Sequence, residues 1–380
     1  MLFLADISPT SHNRNWINFL SSDDSVNAYV LSTRYSNPTE KMMRENAVLL
    51  PNSTYLPPIS PYSTLNFISV LKSLFYLRTV IRRNKIDIIH IMYAEPGALW
   101  GNWRLIFNVP VLLTTRGTDI LKTINSFSIK KDFLSRIVMK QYKSAFKKFH
   151  IITCTSISQS VKINEWVPSA PTCLIRTGVD LRILYKKKIN RVGQLKPIVL
   201  FPRSMYPMYN HELALMAIKL LPTIYSEKWK FVFLNEDSKD QVYVSKIKKI
   251  ADSLELDIQF LPNLRKDELY HLIGQSQVVV MTPLSDGSPV SAMETMALRV
   301  PIILPPLHYD EDVFGKGIFR FDKYEPLVLA KKIIEVMTMD SEQKEKLVRI
   351  ACDNVLKKAN FEVEMGKILN LYHEMLAKVN

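Results

Sequence analysis

The strongest constraint on this chain is a rhythm: apolar runs of strand length alternate with amphipathic stretches from end to end. That alternation is the pattern of β-α units and of a mostly parallel sheet. In the first half, strands are expected near 1–7, 26–32, 87–92, 110–115 and 149–155, and helices near 12–20, 64–85, 95–107, 129–147 and 157–165. The rhythm restarts at PIVLFPR and continues through KFVFLN, DIQFLP, QVVVMTP and VPIILPP, with helices near 211–221, 238–253, 266–274, 289–298 and 325–338. Between the halves lies LRILYKKKINRVGQLK, polar, basic and aperiodic, which has the character of a linker. At 380 residues the chain exceeds the usual limit of one hydrophobic core. Two doubly wound α/β domains facing a cleft are expected, spanning 1–182 and 195–358, with an amphipathic helix at 361–378 within a last segment, 359–380.

Composition narrows the class of function. The stretch from Leu65 to Ile81 is the most lipid-like, but Lys72 and Arg78 interrupt it, which argues against a membrane-spanning helix. The opening MLFLADIS has no basic lead and no small-residue cleavage site, so it is expected to be a first strand rather than a signal peptide. Three widely spaced cysteines, Cys154, Cys173 and Cys352, fit neither a disulfide framework nor a zinc cluster, and a cytoplasmic setting is expected. The net charge is +14, and residues 1–180 carry 21 Lys/Arg against 11 Asp/Glu. Such a field attracts phosphate, whether in nucleic acid, on a membrane or on a diphosphate. No zinc spacing, helix-turn-helix signal or aromatic single-strand platform supports nucleic acid as a partner.

In open parallel sheets, ligands collect at the carboxyl ends of the strands. Neither half shows a G-x-G-x-x-G fingerprint after its first strand, and no Walker lysine loop is present, which disfavours nicotinamide and P-loop enzymes. The loop after QVVVMTP is more informative: it reads SDGSPVSAMETMAL, in a chain with only ten glycines. Ser288 is expected to cap the helix that follows, with Pro289 as its first residue, where a missing N–H costs nothing. Gly287 allows close backbone approach, and the free amides at the helix start suit an anion. Val290, Met293 and Ala297 follow a buried spacing, whereas Glu294 lies on another stripe, aimed away from the main core. Spacing alone leaves two readings of Asp286 and Glu294 open: a turn aspartate with a partly solvated helix glutamate, or two carboxylates that accept hydrogen bonds from sugar hydroxyls.

The segment resembles the acidic-x7-Glu motif of retaining glycosyltransferase family 4, with Asp286, Gly287, Glu294, Met296, Ala297, Pro301, Ile302 and Ile303 in register. IDIIHIMYAEPG, LLTTRGTDIL, LIRTGVDL and VLFPRSMYPMYN resemble further segments of that family in the same order, so the likeness covers nearly the whole chain. The resemblance implies a GT-B architecture whose final helix packs on the N-terminal domain. It also implies transfer of a sugar, with retention, from a nucleotide sugar to a hydroxyl of a glycan or lipid-linked acceptor, as in surface polysaccharide synthesis. A UDP-sugar is favoured over a GDP-sugar, and neither cofactor nor divalent metal is expected in the chemistry. By the same resemblance Asp286 contacts the transferred sugar, Glu294 the donor ribose, and Arg203 the donor diphosphate. Gly287, Ser288, Pro289 and Val290 line the donor site, and the nucleobase sits by Asn263 and Leu264.

Two positions depart from the family pattern. Tyr209, followed by Asn210, stands where the family has a lysine beside the diphosphate, and Arg116 stands where many members have a histidine. Arg116 can position the acceptor or the leaving group, or can form a salt bridge with Asp119. His12 is a candidate acceptor contact alongside Arg116 and Asp119. These departures also motivate an alternative, a GT-B protein that binds a nucleotide sugar with little turnover and acts as a partner subunit. Helix 129–147 sets Arg136, Lys140, Lys143 and Lys147 on one side, with Phe133, Ile137 and Phe146 helping to form an apolar one. It can lie on an anionic membrane face or pack on the core with a solvated basic side.

Overall fold

The computed structural model describes residues 1–5, 12–32, 47–49, 67–130, 132–182 and 196–378. The chain divides into two units, Met1–Thr177 with Glu362–Asn380, and Gly178–Phe361. Residues 183–195, most of the expected linker, lie outside the described residues. The division falls ahead of them, at Gly178. There φ is +73° and an added Cβ would lie 2.7 Å from the Phe361 Cα, so only glycine fits.

The first unit holds seven strands, β1 (Leu2–Ala5), β2 (Ala28–Ser32), β3 (Ala47–Leu49), β4 (Ile89–Met92), β5 (Val111–Thr114), β6 (Ile151–Cys154) and β7 (Thr172–Leu174). Their order across the sheet is β3-β2-β1-β4-β5-β6-β7, every pair parallel. The second unit holds β8 (Ile198–Phe201), β9 (Lys230–Phe233), β10 (Ile258–Phe260), β11 (Val278–Val280), β12 (Ile302–Leu304) and β13 (Phe319–Arg320), in the order β10-β9-β8-β11-β12-β13, again all parallel. Strands such as LFLA and IVLF are buried throughout because helices cover both faces. In each sheet the strand order reverses beside the first strand, between β1 and β4 and between β8 and β11. Loops leaving those strands therefore diverge and open a crevice at their carboxyl ends.

Several elements differ from expectation. The helix expected over 95–107 is a 3-10 segment, Gly97–Trp103, followed by the short helix Arg104–Phe107. Gly101 sits so close to its neighbour that a Cβ would fall 2.8 Å from the Ala145 carbonyl oxygen. The helix expected over 129–147 is two, Asn125–Ile129 and Phe133–Phe146. Asp132 starts the second by accepting the Ser135 N–H at 2.8 Å. Strands β3, β7 and β13 are additional, as is the helix Ser341–Lys358, whose sequence is polar apart from a narrow buried stripe that includes Val348, Ala351 and Val355.

The last helix, Phe361–Ala377, belongs almost entirely to the first unit. Its Tyr372 hydroxyl lies 2.7 Å from His90 Nδ1, while His90 Nε2 lies 2.7 Å from Thr114 Oγ1. His90 is thus a satisfied core histidine, and burial holds its pKa well below the ordinary value. In the second unit Arg299 adopts φ +56° and Glu255 φ +54°, a left-handed conformation costly for a residue with a Cβ.

Candidate functional site

The crevice between β8 and β11 carries the densest cluster of chemistry. Arg203 leaves the carboxyl end of β8, and Asp286 precedes the helix Val290–Ala297 after β11; the two strands are paired neighbours. Arg203 Nη2 donates to Asp286 Oδ2 at 3.2 Å, and Nη1 donates to Ser291 Oγ at 2.7 Å. The guanidinium carbon lies 4.1 Å from the centre of the Tyr209 ring. Both charged side chains are largely buried, at 20% and 16% exposure. Burial pushes the Asp286 carboxyl up from its ordinary range, opposed by Arg203 and by the N–H groups of Gly287 and Ser288. Behind Arg203, buried His211 donates from Nε2 to the Arg203 carbonyl, and burial brings its pKa down to about 4.

The start of this helix corrects the expected capping. Pro289 is the capping residue, with ψ 109°, and the helix begins at Val290. Its carbonyl accepts the N–H groups of Ala292 and Met293, while Ser288 Oγ is buried without a partner. The amides of Gly287 and Ser288 face the Asp286 carboxylate, so this part of the expected anion site is occupied by the chain's own acid. Tyr309 adds a second buried hydroxyl without a partner, and Asp286, Tyr324, Arg203 and Arg320 are its electrostatic neighbours.

Glu294 lies one helical turn beyond Ser291, about 4.5 Å along the axis. It is not aimed away from the core: it is 6% exposed because the helix Lys266–Gln275 covers that side. Tyr270 donates its hydroxyl to Glu294 Oε1 at 2.6 Å, and Lys266 Nζ lies 3.4 Å from the same oxygen. The loop with Asn263 and Leu264 leads into that helix; the Asn263 N–H donates to Asp237, and Leu264 packs on the core. Asn210, at φ +48°, opens the helix His211–Lys219, and Thr282 Oγ1 donates to the carbonyls of Tyr209 and Asn210. Sequence reasoning missed Ser291, Lys266, Tyr270 and Tyr309; of these, only Ser291 had a local signal, lying three residues before Glu294 on the same helix.

The first unit gathers Arg116, Asp119 and Asn13 at the carboxyl ends of β4 and β5. Arg116 Nε and Nη2 donate to Asn13 Oδ1 at 2.9 and 2.6 Å, and its guanidinium lies 4.2 Å from the Trp16 ring centre. Burial brings its pKa down to about 9, against the pull of Asp119, so it remains charged at neutral pH. The salt bridge between these side chains does not form. Asp119 instead accepts the backbone N–H groups of Ala94, Arg116 and Ile120. His12 opens the helix His12–Leu20, and its side chain lies outside what is described.

One Asp-x-Asp triplet occurs, Asp310-Glu311-Asp312, but Asp310 is buried, Asp312 is exposed, and Glu311 pairs with Arg320 at 2.8 Å. Among the described residues no group of three or more His, Cys, Asp or Glu is placed to hold a metal ion. Among them also, no helix is long and apolar enough to cross a membrane.

Residues 185–352 match the family described as Glycosyl transferases group 1, and residues 2–156 match Glycosyl transferase 4-like. No curated protein matches the sequence significantly. Similar solved structures include a glycosyltransferase from Rickettsia africae, at 16% identity and TM-score 0.78, covering 99% of this chain and 98% of that one. Sucrose-phosphate synthase from Thermosynechococcus elongatus follows at 14% identity and TM-score 0.73, covering 99% of each chain. HepE from Anabaena, in complex with UDP and glucose, has 15% identity and TM-score 0.74, covering 98% of this chain and 99% of its own. At such identities the likeness speaks for the shared GT-B fold. The two halves match separate domains of one enzyme class, and this chain belongs to the group 1, glycosyltransferase 4-like glycosyltransferases.

Proposed function

We propose that the chain transfers a sugar, with retention at the anomeric carbon and without a metal ion, from a UDP-sugar to a hydroxyl of a glycan or lipid-linked acceptor in surface polysaccharide synthesis. The observation that carries this is the crevice at β8 and β11, where Arg203 lies against Asp286 and Ser291 with Glu294 one turn further along the helix. A planar guanidinium suits diphosphate oxygens, and two carboxylates suit hydroxyls on either side of them. In this reading the donor diphosphate takes the Nη groups of Arg203, Asp286 turns to the transferred sugar, and Glu294 accepts the ribose hydroxyls. Lys266 supplies the second cation that Tyr209 cannot. As the glycosidic bond to the diphosphate breaks, the leaving oxygen takes the proton of the incoming hydroxyl on the same face, so no second carboxylate base is required. HepE, whose structure holds UDP and glucose, supports the choice of base.

The test is a thermal-shift screen against UDP-, GDP- and ADP-sugars, followed by transfer to an acceptor panel with the product anomer assigned by NMR. A donor at 100 times its Kd stabilises the fold by about 2.7 kcal/mol. Indifference to every nucleotide sugar sinks the proposal. The stacking of Tyr209 on Arg203, where a lysine is usual, favours the second reading, a nucleotide-sugar-binding partner subunit with little turnover. A thermal shift without transfer or hydrolysis selects it.

A further inference from the structure

The helix Phe133–Phe146 packs on the first unit through a buried stripe that includes Val138, Met139, Tyr142 and Phe146. Phe146 is thus inside, while Phe133 and Ile137 are not. Phe133 is 74% exposed, Leu134 59% and Ile137 39%, and Ile129, ending the preceding helix, is 69% exposed. A merely solvated face would be polar throughout, and single exposed apolar residues are ordinary, but four within nine positions are not. At 100° per residue, Arg136, Lys140, Lys143 and Lys147 fall in one stripe directly beside the line of Phe133 and Ile137. All four are exposed, as are Lys130 and Lys148, and the one acid from 129 to 148, Asp132, is engaged in capping the helix by accepting from the Ser135 N–H and hydroxyl.

We propose that this face docks on an anionic lipid surface, with Ile129, Phe133, Leu134 and Ile137 entering the headgroup boundary and the flanking cations lying against lipid phosphates. Charge complementarity selects the occupant: exposed apolar side chains with adjacent cations match an interface that is negative at its surface and apolar just beneath. The inference is independent of the transfer reaction, and so is its test.

The full chain is sedimented with vesicles of phosphatidylcholine alone and with vesicles containing about 30 mol % phosphatidylglycerol. Binding is expected only to the anionic vesicles and is expected to weaken as salt rises. The double variant Phe133→Ser/Ile137→Ser and the double variant Lys140→Glu/Lys147→Glu should each lower it by about tenfold or more. Val242→Ser, at a position 84% exposed in the second unit, should leave it unchanged. A Phe133→Trp variant should shift its emission to the blue on vesicle addition. The unfolding temperature of each variant reports on its fold. Failure to bind anionic vesicles overturns the proposal, as does binding that the folded serine variant retains in full. Capture by immobilised polyglutamate that needs the lysines but not Phe133, in a chain that ignores vesicles, would assign the face to an acidic protein instead.

Discussion

The guanidinium of Arg203 stacks on the ring of Tyr209, 4.1 Å from its centre, so Tyr209 orients this cation without adding a charge of its own. A cation against an aromatic face gains on the order of 1 kcal/mol. Tyr209→Ala should therefore raise the donor KM roughly fivefold with a smaller change in kcat, since it frees the guanidinium without removing it. Lys266→Ala should act more strongly, by about tenfold in kcat/KM, because in the proposed donor site this lysine is the second cation beside the diphosphate. Steady-state kinetics with a fixed acceptor check both. An unchanged kcat/KM in Lys266→Ala would leave that lysine only its ion pair with Glu294.

Glu294 calls for two substitutions rather than one. Its carboxylate accepts the hydroxyl of buried Tyr270, so Glu294→Ala leaves that donor unsatisfied and should destabilise the free protein by about 1–3 kcal/mol. Glu294→Gln keeps an acceptor in place and should preserve the fold. It should still lose the thermal shift on adding a nucleotide sugar, because an amide is a weaker acceptor for a vicinal diol. A full shift in Glu294→Gln would remove the ribose role.

How much of this was legible in sequence depends on the range of the contacts. Arg203, Asp286 and Glu294 were singled out by the resemblance to the family's motifs, since spacing alone left both carboxylates open to a purely structural reading. The correct cap was missed because Ser288 and Pro289 are both good helix starters, and the choice fell to ψ at Pro289. The cover on Glu294 was missed because Lys266 and Tyr270 arrive on another helix. Tyr372 and His90 are 282 residues apart, and no periodicity links them. On the helix Phe133–Phe146 the sequence showed apolar residues without showing which would face the core.

His211 gives the second unit a dependence on acid. Burial brings its pKa to about 4 from the ordinary 6.5, so below pH 6.5 the unfolded chain binds the proton that the folded chain refuses. Stability is fully present above pH 6.5 and falls as the pH drops toward 4, by about 3 kcal/mol for the difference of 2.5 units. Urea unfolding across that window should show the loss. His211→Gln, which retains an N–H for the Arg203 carbonyl, should flatten the slope. His90 acts in the same direction in the first unit, so the variant should reduce the slope without abolishing it.

Arg299 offers a gain in stability. It holds φ +56° at the turn between the helix Val290–Ala297 and β12, a region where a side chain with a Cβ costs roughly 1–2 kcal/mol. Glycine enters that region freely but brings more conformational freedom to the unfolded chain, worth about 0.5–1 kcal/mol against it. The balance favours Arg299→Gly by about 0.5–1 kcal/mol, less whatever the arginine contributes near Cys352. The variant should unfold at a higher urea concentration with the slope of the transition unchanged, because the surface exposed on unfolding stays the same. A lower midpoint would mean that the contacts of the Arg299 side chain outweigh the strain of its backbone, and that this turn is held by the side chain rather than by the fold around it.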